Sequence, residues 1–204
     1  MLIHPTAIIE PGAEIDPTAE IGPYAIIEGP CRIGARTRVM PHAVVGRWTE
    51  IGEDNILHFG AVVGHQAQHL ANQNEERWTR IGNRNIFREN VTVHRAHFEN
   101  SQTTIGDNCM FMAGAHVAHD CHIGSNVVIV NNVMLGGHVE IEDNVFVGGG
   151  SGVHQFVRLG RLAMVAGVAR VTSDVPPFMT VAGMSRIRAL NVVGLRRASI
   201  TPET

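Results

Sequence analysis

From Ile3 onward an aliphatic residue recurs at every sixth position. The series is Ile3, Ile9, Ile15, Ile21, Ile27, Ile33, Val39, Val45, Ile51, Leu57 and Val63. It resumes at Ile81, Phe87 and Val93, and then runs unbroken from Ile105 through Phe111, Val117, Ile123, Ile129, Leu135, Ile141, Val147, Val153, Leu159 and Val165 to Val171. Four residues after such a position stands a small or modest side chain, as at Ala7, Ala13, Ala19, Ala25, Thr37, Ala43 and Thr49. The residue just after it is often Gly, as at Gly22, Gly34, Gly52, Gly82, Gly106 and Gly124. A helix repeats its apolar positions at three and four residues, so no helix produces this pattern. Short strands joined by tight corners do. Gly, Asn and Asp tolerate corner geometry, and Glu53-Asp54-Asn55, Gly106-Asp107-Asn108 and Glu142-Asp143-Asn144 read as corners. Gly148-Gly149-Gly150 falls inside the pattern and reads as another. Three hexads close a coil of about 18 residues, and coils stack at roughly 4.8 Å. The prediction is an all-β parallel β-helix with one continuous dry core. A β-sandwich would not hold one phase over so many positions.

Two stretches break the phase. Residues 64–80 are polar, with Gln66, Gln68, His69, Asn72, Gln73, Asn74, Glu75 and Glu76; residues 94–104 form a shorter break. Insertions in a solenoid leave as loops on one face, often the binding face. The repeat domain is therefore placed at 1–175, with loop insertions near 64–80 and 94–104, followed by a C-terminal tail at 176–204. The tail, apolar with Arg186, Arg188, Arg196 and Arg197, is expected to cap an open end of the coil stack.

Composition narrows the function. At 204 residues, 44% hydrophobic and 17% charged, the chain suits one ordered domain rather than a disordered one. A net charge of -3 and a pI near 6.4 argue against a generally basic nucleic-acid binder. All 16 basic residues are Arg; nothing in the pattern explains this. Cys31, Cys109 and Cys121 form no CxxC pair and no disulfide framework, which fits a reducing compartment. There is no signal pattern and no apolar run near 18 residues. The expectation is a cytoplasmic protein without a membrane span.

The 12 His are many for this length. His94, His116, His119, His138 and His154 follow the first break, and His119, His138 and His154 recur close to one coil apart, along one edge. Asp120 follows His119 directly. Three readings stay open on spacing alone. One His is a general base oriented by a carboxylate; several bind a metal such as Zn; or they are structural. No Walker or Rossmann phosphate loop and no GxSxG elbow is present.

Several segments together resemble a known family. They are Arg88-Glu89-Asn90-Val91-Thr92-Val93-His94-Arg95, Ala115-His116-Val117-Ala118-His119-Asp120-Cys121, Leu135-Gly136-Gly137-His138-Val139 and Val153-His154-Gln155-Phe156. The closing runs Asp174-Val175-Pro176-Pro177 and Asn191-Val192-Val193-Gly194-Leu195-Arg196-Arg197 join them. This combination resembles the UDP-N-acetylglucosamine O-acyltransferases of lipid A synthesis, within the left-handed β-helix acyltransferases. The resemblance covers nearly the whole chain. It implies a left-handed coil, a homotrimer with sites between subunits, and neither metal nor cofactor. It implies transfer of a 3-hydroxyacyl chain from acyl carrier protein to the 3-position of the UDP-sugar. His119 would be the general base, Asp120 its acid partner, and the Gly137 N–H a donor to the oxyanion. Gln68, His69, His94, His116, His138, His154 and Gln155 would line the cleft. Gly167 would set acyl length, and Asn191 and Arg197 would contact the nucleotide.

Three departures accompany the resemblance. The family's loop carries Gln-Asp-Leu-Lys where this chain reads Gln68-His69-Leu70-Ala71. The Glu of the tail motif is Val193, and Ala198 replaces a further Arg. The family continues into a helical domain where this sequence reaches Thr204. A diverged non-catalytic or altered-substrate paralogue is the alternative. Zn-dependent γ-class carbonic anhydrases and acetyl-CoA-dependent hexapeptide transferases share the fold but fit these motifs less well.

Overall fold

A computed structural model describes residues 2–71 and 75–200. Asn72, Gln73 and Asn74 of the polar loop, and the outermost ends of the two predicted segments, lie outside the described residues.

The hexads build a triangular stack of coils. The coils contribute short strands to three sheets, of 11, 9 and 8 strands, parallel throughout except for the last strand of the first; these are faces A, B and C in chain order. Face A begins at Leu2–Ile3, face B at Ile8–Ile9 and face C at Ala13–Ile15. In a parallel stack each backbone N–H bonds the coil above or below, so register repeats coil by coil. Ile3 pairs with Ile21, Ile9 with Ile27 and Ile15 with Ile33. The aliphatic positions therefore superpose inside the stack. From Ile21 to Val181 they are buried, with Ala19, Ala25, Ala43, Ala61, Ala115 and Ala163 filling the inner corners.

The two sequence breaks lengthen single coils without disturbing this register. Leu57 pairs across the first with Phe87, and Phe87 across the second with Phe111. The two Phe rings stack inside the core at 4.9 Å, filling the coils from which the loops depart. Both loops leave at the corner between faces B and C. The first lies between strands Val62–His65 and Trp78–Ile81, the second between Thr92–His94 and Gln102–Ile105.

Corners hold the left-handed backbone that the composition predicts. Asp54, Asn108 and Asn144 of the three triplets have φ of 57°, 56° and 61°, and Gly150 has 68°. Buried polar side chains satisfy corner backbone that no strand reaches. Asn55 Nδ2 donates to the Gly82 carbonyl at 2.9 Å and its Oδ1 accepts from Asn85 N–H at 2.9 Å. Asn85 repeats the device, donating to Gly106 and accepting from Cys109 N–H. The three Cys are buried free thiols.

The tail, expected to cap an open end, holds two strands and one short helix among its described residues. Arg186–Leu190 pairs antiparallel with Met179–Ala182, adding one strand at the last edge of face A. The chain then turns back over the outer surface of that face as the helix Val192–Arg197. Asn191 directs this turn. Its Oδ1 accepts from Gly194 N–H at 3.0 Å, capping the helix, and its Nδ2 donates to the Leu162 carbonyl at 2.9 Å. No helix among the described residues is long and apolar enough to cross a membrane.

Candidate active site

The corner between faces B and C carries most of the predicted site. Reading along the stack, it holds the first insertion with Gln68 and His69, then His94 and the second insertion. Next come His119 and Asp120, then Gly137 and His138, then His154 and Gln155. Coil stacking alone gathers residues nearly ninety positions apart in sequence onto one edge.

Asp120 is buried and sits at the centre. Its Oδ2 accepts from His119 Nδ1 at 2.6 Å and from the His97 backbone N–H at 3.1 Å, and lies 3.9 Å from His138 Nε2. Its own N–H donates to the Thr103 hydroxyl at 2.9 Å. Burial would raise its carboxyl, but hydrogen bonds from His119, Ser101 and the His97 amide outweigh this and hold it at about 2. Asp120 is thus an anion at any working pH. An anion that accepts from Nδ1 places the proton there, which leaves the lone pair of His119 on Nε2.

Gly137 lies directly beneath that ring. A Cβ at this position would come within 2.8 Å of His119 Cε1 and 3.0 Å of Nε2. Only Gly lets the base sit here. The Gly137 N–H has no acceptor among the described residues. A free backbone donor therefore lies beside the free base nitrogen.

His94, one coil before His119, and His116, on the His119 coil itself, lie with ring centroids 5.3 Å apart. His94 Nδ1 donates to the Gln66 carbonyl at 2.6 Å, so its buried Nε2, which has no partner among the described residues, is an acceptor. Burial lowers the His94 pKa, and the neighbouring imidazoles His65 and His119 add to the effect. His116 Nδ1 lies 2.8 Å from the Thr92 hydroxyl, and burial, then His94 and His119, push its pKa down to about 4. Gln68, His154 and Gln155 are exposed along the same edge.

The remaining predicted residues lie elsewhere on this subunit. Gly167 occupies the corner between faces A and B, after strand Met164–Val165. Arg197 lines a groove of about 530 Å³ between the tail and the outer surface of face A, beside Val193, Phe146 and Met164. The Asn191 amide is committed to the helix cap and Leu162. One chain does not bring these groups to His119.

The structure also adds residues that motif reasoning missed. His97 stacks on His69 at 4.0 Å, and Phe98 packs 5.1 Å from His138. Phe156, which closes the predicted His154-Gln155-Phe156 segment, stacks on His138 at 4.6 Å. His119, Asp120 and His138 also have ligand atoms within 4.8 Å of one another, enough to consider a cation. The protonated Nδ1 bonded to Asp120 fits a base and its partner better.

Comparison with known proteins bears on the fold and the family. Residues 30–65 and 102–137 match a bacterial transferase hexapeptide model, and 138–168 a hexapeptide repeat of succinyl-transferase. Residues 174–204 match domain 2 of UDP-N-acetylglucosamine O-acyltransferase. The chain superposes on LpxA from Acinetobacter baumannii with a TM-score of 0.96 and 40% identity, covering 99% of this chain and 79% of that one. It belongs to the UDP-N-acetylglucosamine O-acyltransferase family. Within that family, the Arabidopsis acyltransferase superposes with a TM-score of 0.86 and 35% identity, over 98% of this chain and 78% of that chain. The acyl-(acyl-carrier-protein)–UDP-N-acetylglucosamine O-acyltransferase of Gloeothece citriformis is 49% identical over 176 residues, which is 86% of this chain. The chain spans 57% of that curated relative's length.

The buried neutral imidazoles give the fold a pH signature. In the unfolded chain His116 titrates near 6.5, and in the fold near 4. Protons therefore bind the unfolded chain first as pH falls between those values. The stability that His116 contributes is therefore full above about 6.5, falls as pH drops through the window and is lost below about 4. Thermal melting across this range is expected to show a steeper loss for the wild type than for His116→Gln.

Proposed function

We propose that this chain transfers a 3-hydroxyacyl group from acyl carrier protein to the 3-position of UDP-N-acetylglucosamine, the first step of lipid A synthesis. The observation that carries this reading is His119 held by Asp120 at 2.6 Å, with its free nitrogen over the unspent Gly137 N–H. A sugar hydroxyl is a poor nucleophile until its proton leaves. His119 Nε2 takes that proton as the oxygen attacks the thioester carbonyl. The imidazolium that forms is stabilised by Asp120. The Gly137 N–H donates to the carbonyl oxygen as it becomes an oxyanion. Collapse of the intermediate breaks the C–S bond, and the departing thiolate takes the proton back from His119. His94 Nε2, an acceptor fixed by Gln66, suits a hydroxyl or amide N–H of the sugar. No step calls on a cofactor.

A homotrimer completes the site in this reading. The outer surface of face C is covered by cross-coil ion pairs, Glu14–Arg32, Glu50–Arg80 and Glu140–Arg158. Face A carries one such pair, Glu20–Arg38, and faces A and B also expose Ile8, Met134 and Phe146. Gly167 and Arg197, remote from His119 on the same chain, reach it only from a neighbour.

The charge distribution supports a carrier-protein partner. Residues 158–200 hold seven Arg and one acid, Asp174, whereas residues 1–157 hold nine Arg and seventeen acids. Among the described residues only Arg158 of the seven forms an ion pair. Arg170, Arg186 and Arg188 stand exposed around the Met184 turn, close to Gly167 in the stack. Such a surface suits a carrier of net negative charge.

Three measurements test these statements. With 3-hydroxyacyl carrier protein and UDP-N-acetylglucosamine, and its 3-amino analogue in parallel, wild type is expected to turn over. His119→Ala is expected to lose at least about a hundredfold in kcat; equal rates would remove the mechanism. Light scattering is expected to show a trimer, and a monomer would leave the proposed site without Gly167 and Arg197. Arg186→Glu with Arg188→Glu is expected to raise KM for the carrier several-fold and leave KM for the sugar unchanged. Equal KM values for the carrier would move its docking surface elsewhere.

A further inference from the structure

We propose that the stacked His69–His97 pair is a positioning clamp that decides which imidazole Asp120 serves. The pair joins the two insertions. Both leave the B–C corner on successive coils, and His69 of the first meets His97 of the second beside the His119 coil. The rings of His69 and His97 stack at 4.0 Å with 25° between planes. Arg77, also in the first insertion, donates from Nε to the His97 carbonyl at 3.4 Å. The His97 N–H donates to Asp120 Oδ2 at 3.1 Å. His97 is thereby held at its ring, its carbonyl and its amide.

The consequence falls on Asp120. Its Oδ2 lies between two imidazoles, 2.6 Å from His119 Nδ1 and 3.9 Å from His138 Nε2. Either ring can donate to this oxygen, and only the first arrangement leaves His119 Nε2 as the free base. The His97 amide fixes the carboxylate in that arrangement, because two donors on one oxygen define its orientation. The clamped rings also stand against His119 itself. His69 is edge-on to it at 5.5 Å and 89°, and His97 at 5.8 Å and 68°. Phe98, next in the chain, packs on His138 at 5.1 Å and confines that ring from the side of the second insertion. Two loops outside the repeat thus orient a dyad built by the repeat. His97 is a positioning residue, acting through Asp120 on His119. Its effect on rate rests on the acyl-transfer reading, but its effect on the dyad does not.

The test compares His97→Ala, which removes the stacking ring, with His97→Phe, which keeps a ring and removes the imidazole nitrogens. Three readouts are taken on the full chain: acyl transfer, thermal melting, and the low-field proton resonance of the His119 Nδ1–H bound to Asp120. That resonance is assigned by its loss in His119→Ala. His97→Ala is expected to lower kcat between about tenfold and a hundredfold with little change in KM, and to broaden or abolish the resonance. His97→Phe is expected to restore both, with melting close to wild type. If His97→Ala keeps its kcat and the resonance, the clamp is overturned. If His97→Phe folds but restores neither, ring stacking is not the cause and the clamp is again overturned. If the wild type itself transfers no acyl group, the acyl-transfer reading fails, while the resonance in the two variants still decides the clamp.

Discussion

In-register stacking of one inward aliphatic residue per hexad is the constraint on which everything else rests. Because each strand bonds the equivalent strand one coil away, a residue at a given corner lies directly over its counterpart on the next coil. The pairing from Leu57 to Phe87 to Phe111 preserves this through two insertions of different length. The core thus excludes extra residues and sends them outward at one corner. That corner is where His119 and Asp120 stand. A single slip in register would separate Gly137 from the ring it lies beneath.

Electrostatics at that edge follow from burial. A carboxylate taken out of water is costly unless hydrogen bonds compensate. Asp120 is compensated by donors from the repeat and from the second insertion, and it stays ionised. The imidazoles around it are driven the other way. Burial lowers the pKa of His94, His116 and His138, which keeps them neutral and available as acceptors or donors to a polar ligand. One buried anion thus stands among several neutral imidazoles, in direct hydrogen-bond contact with His119. The same subunit places Gly167 and Arg197 on other edges, so the chemistry and the proposed recognition of acyl chain and nucleotide belong to different surfaces. The proposed trimer would reconcile them.

The hexad period by itself determined the architecture, the inward positions and the phase of the corners. It did so because a strand of two or three residues has few ways to bury one side chain per turn of chain. Asp54, Asn108 and Asn144 were legible as corners because short polar side chains tolerate left-handed backbone. His119 and Asp120 were legible from adjacency and from the segments around them. Tertiary structure alone decided the rest. His97 and Phe98 carry no motif and lie where the repeat is broken. Their approach to the dyad depends on two loops leaving the same corner. The tail's reversal depends on Asn191 finding the Leu162 carbonyl, a contact between positions that no period relates. Local pattern specifies what repeats along a chain; the meeting of its exceptions is set by the three-dimensional path between them.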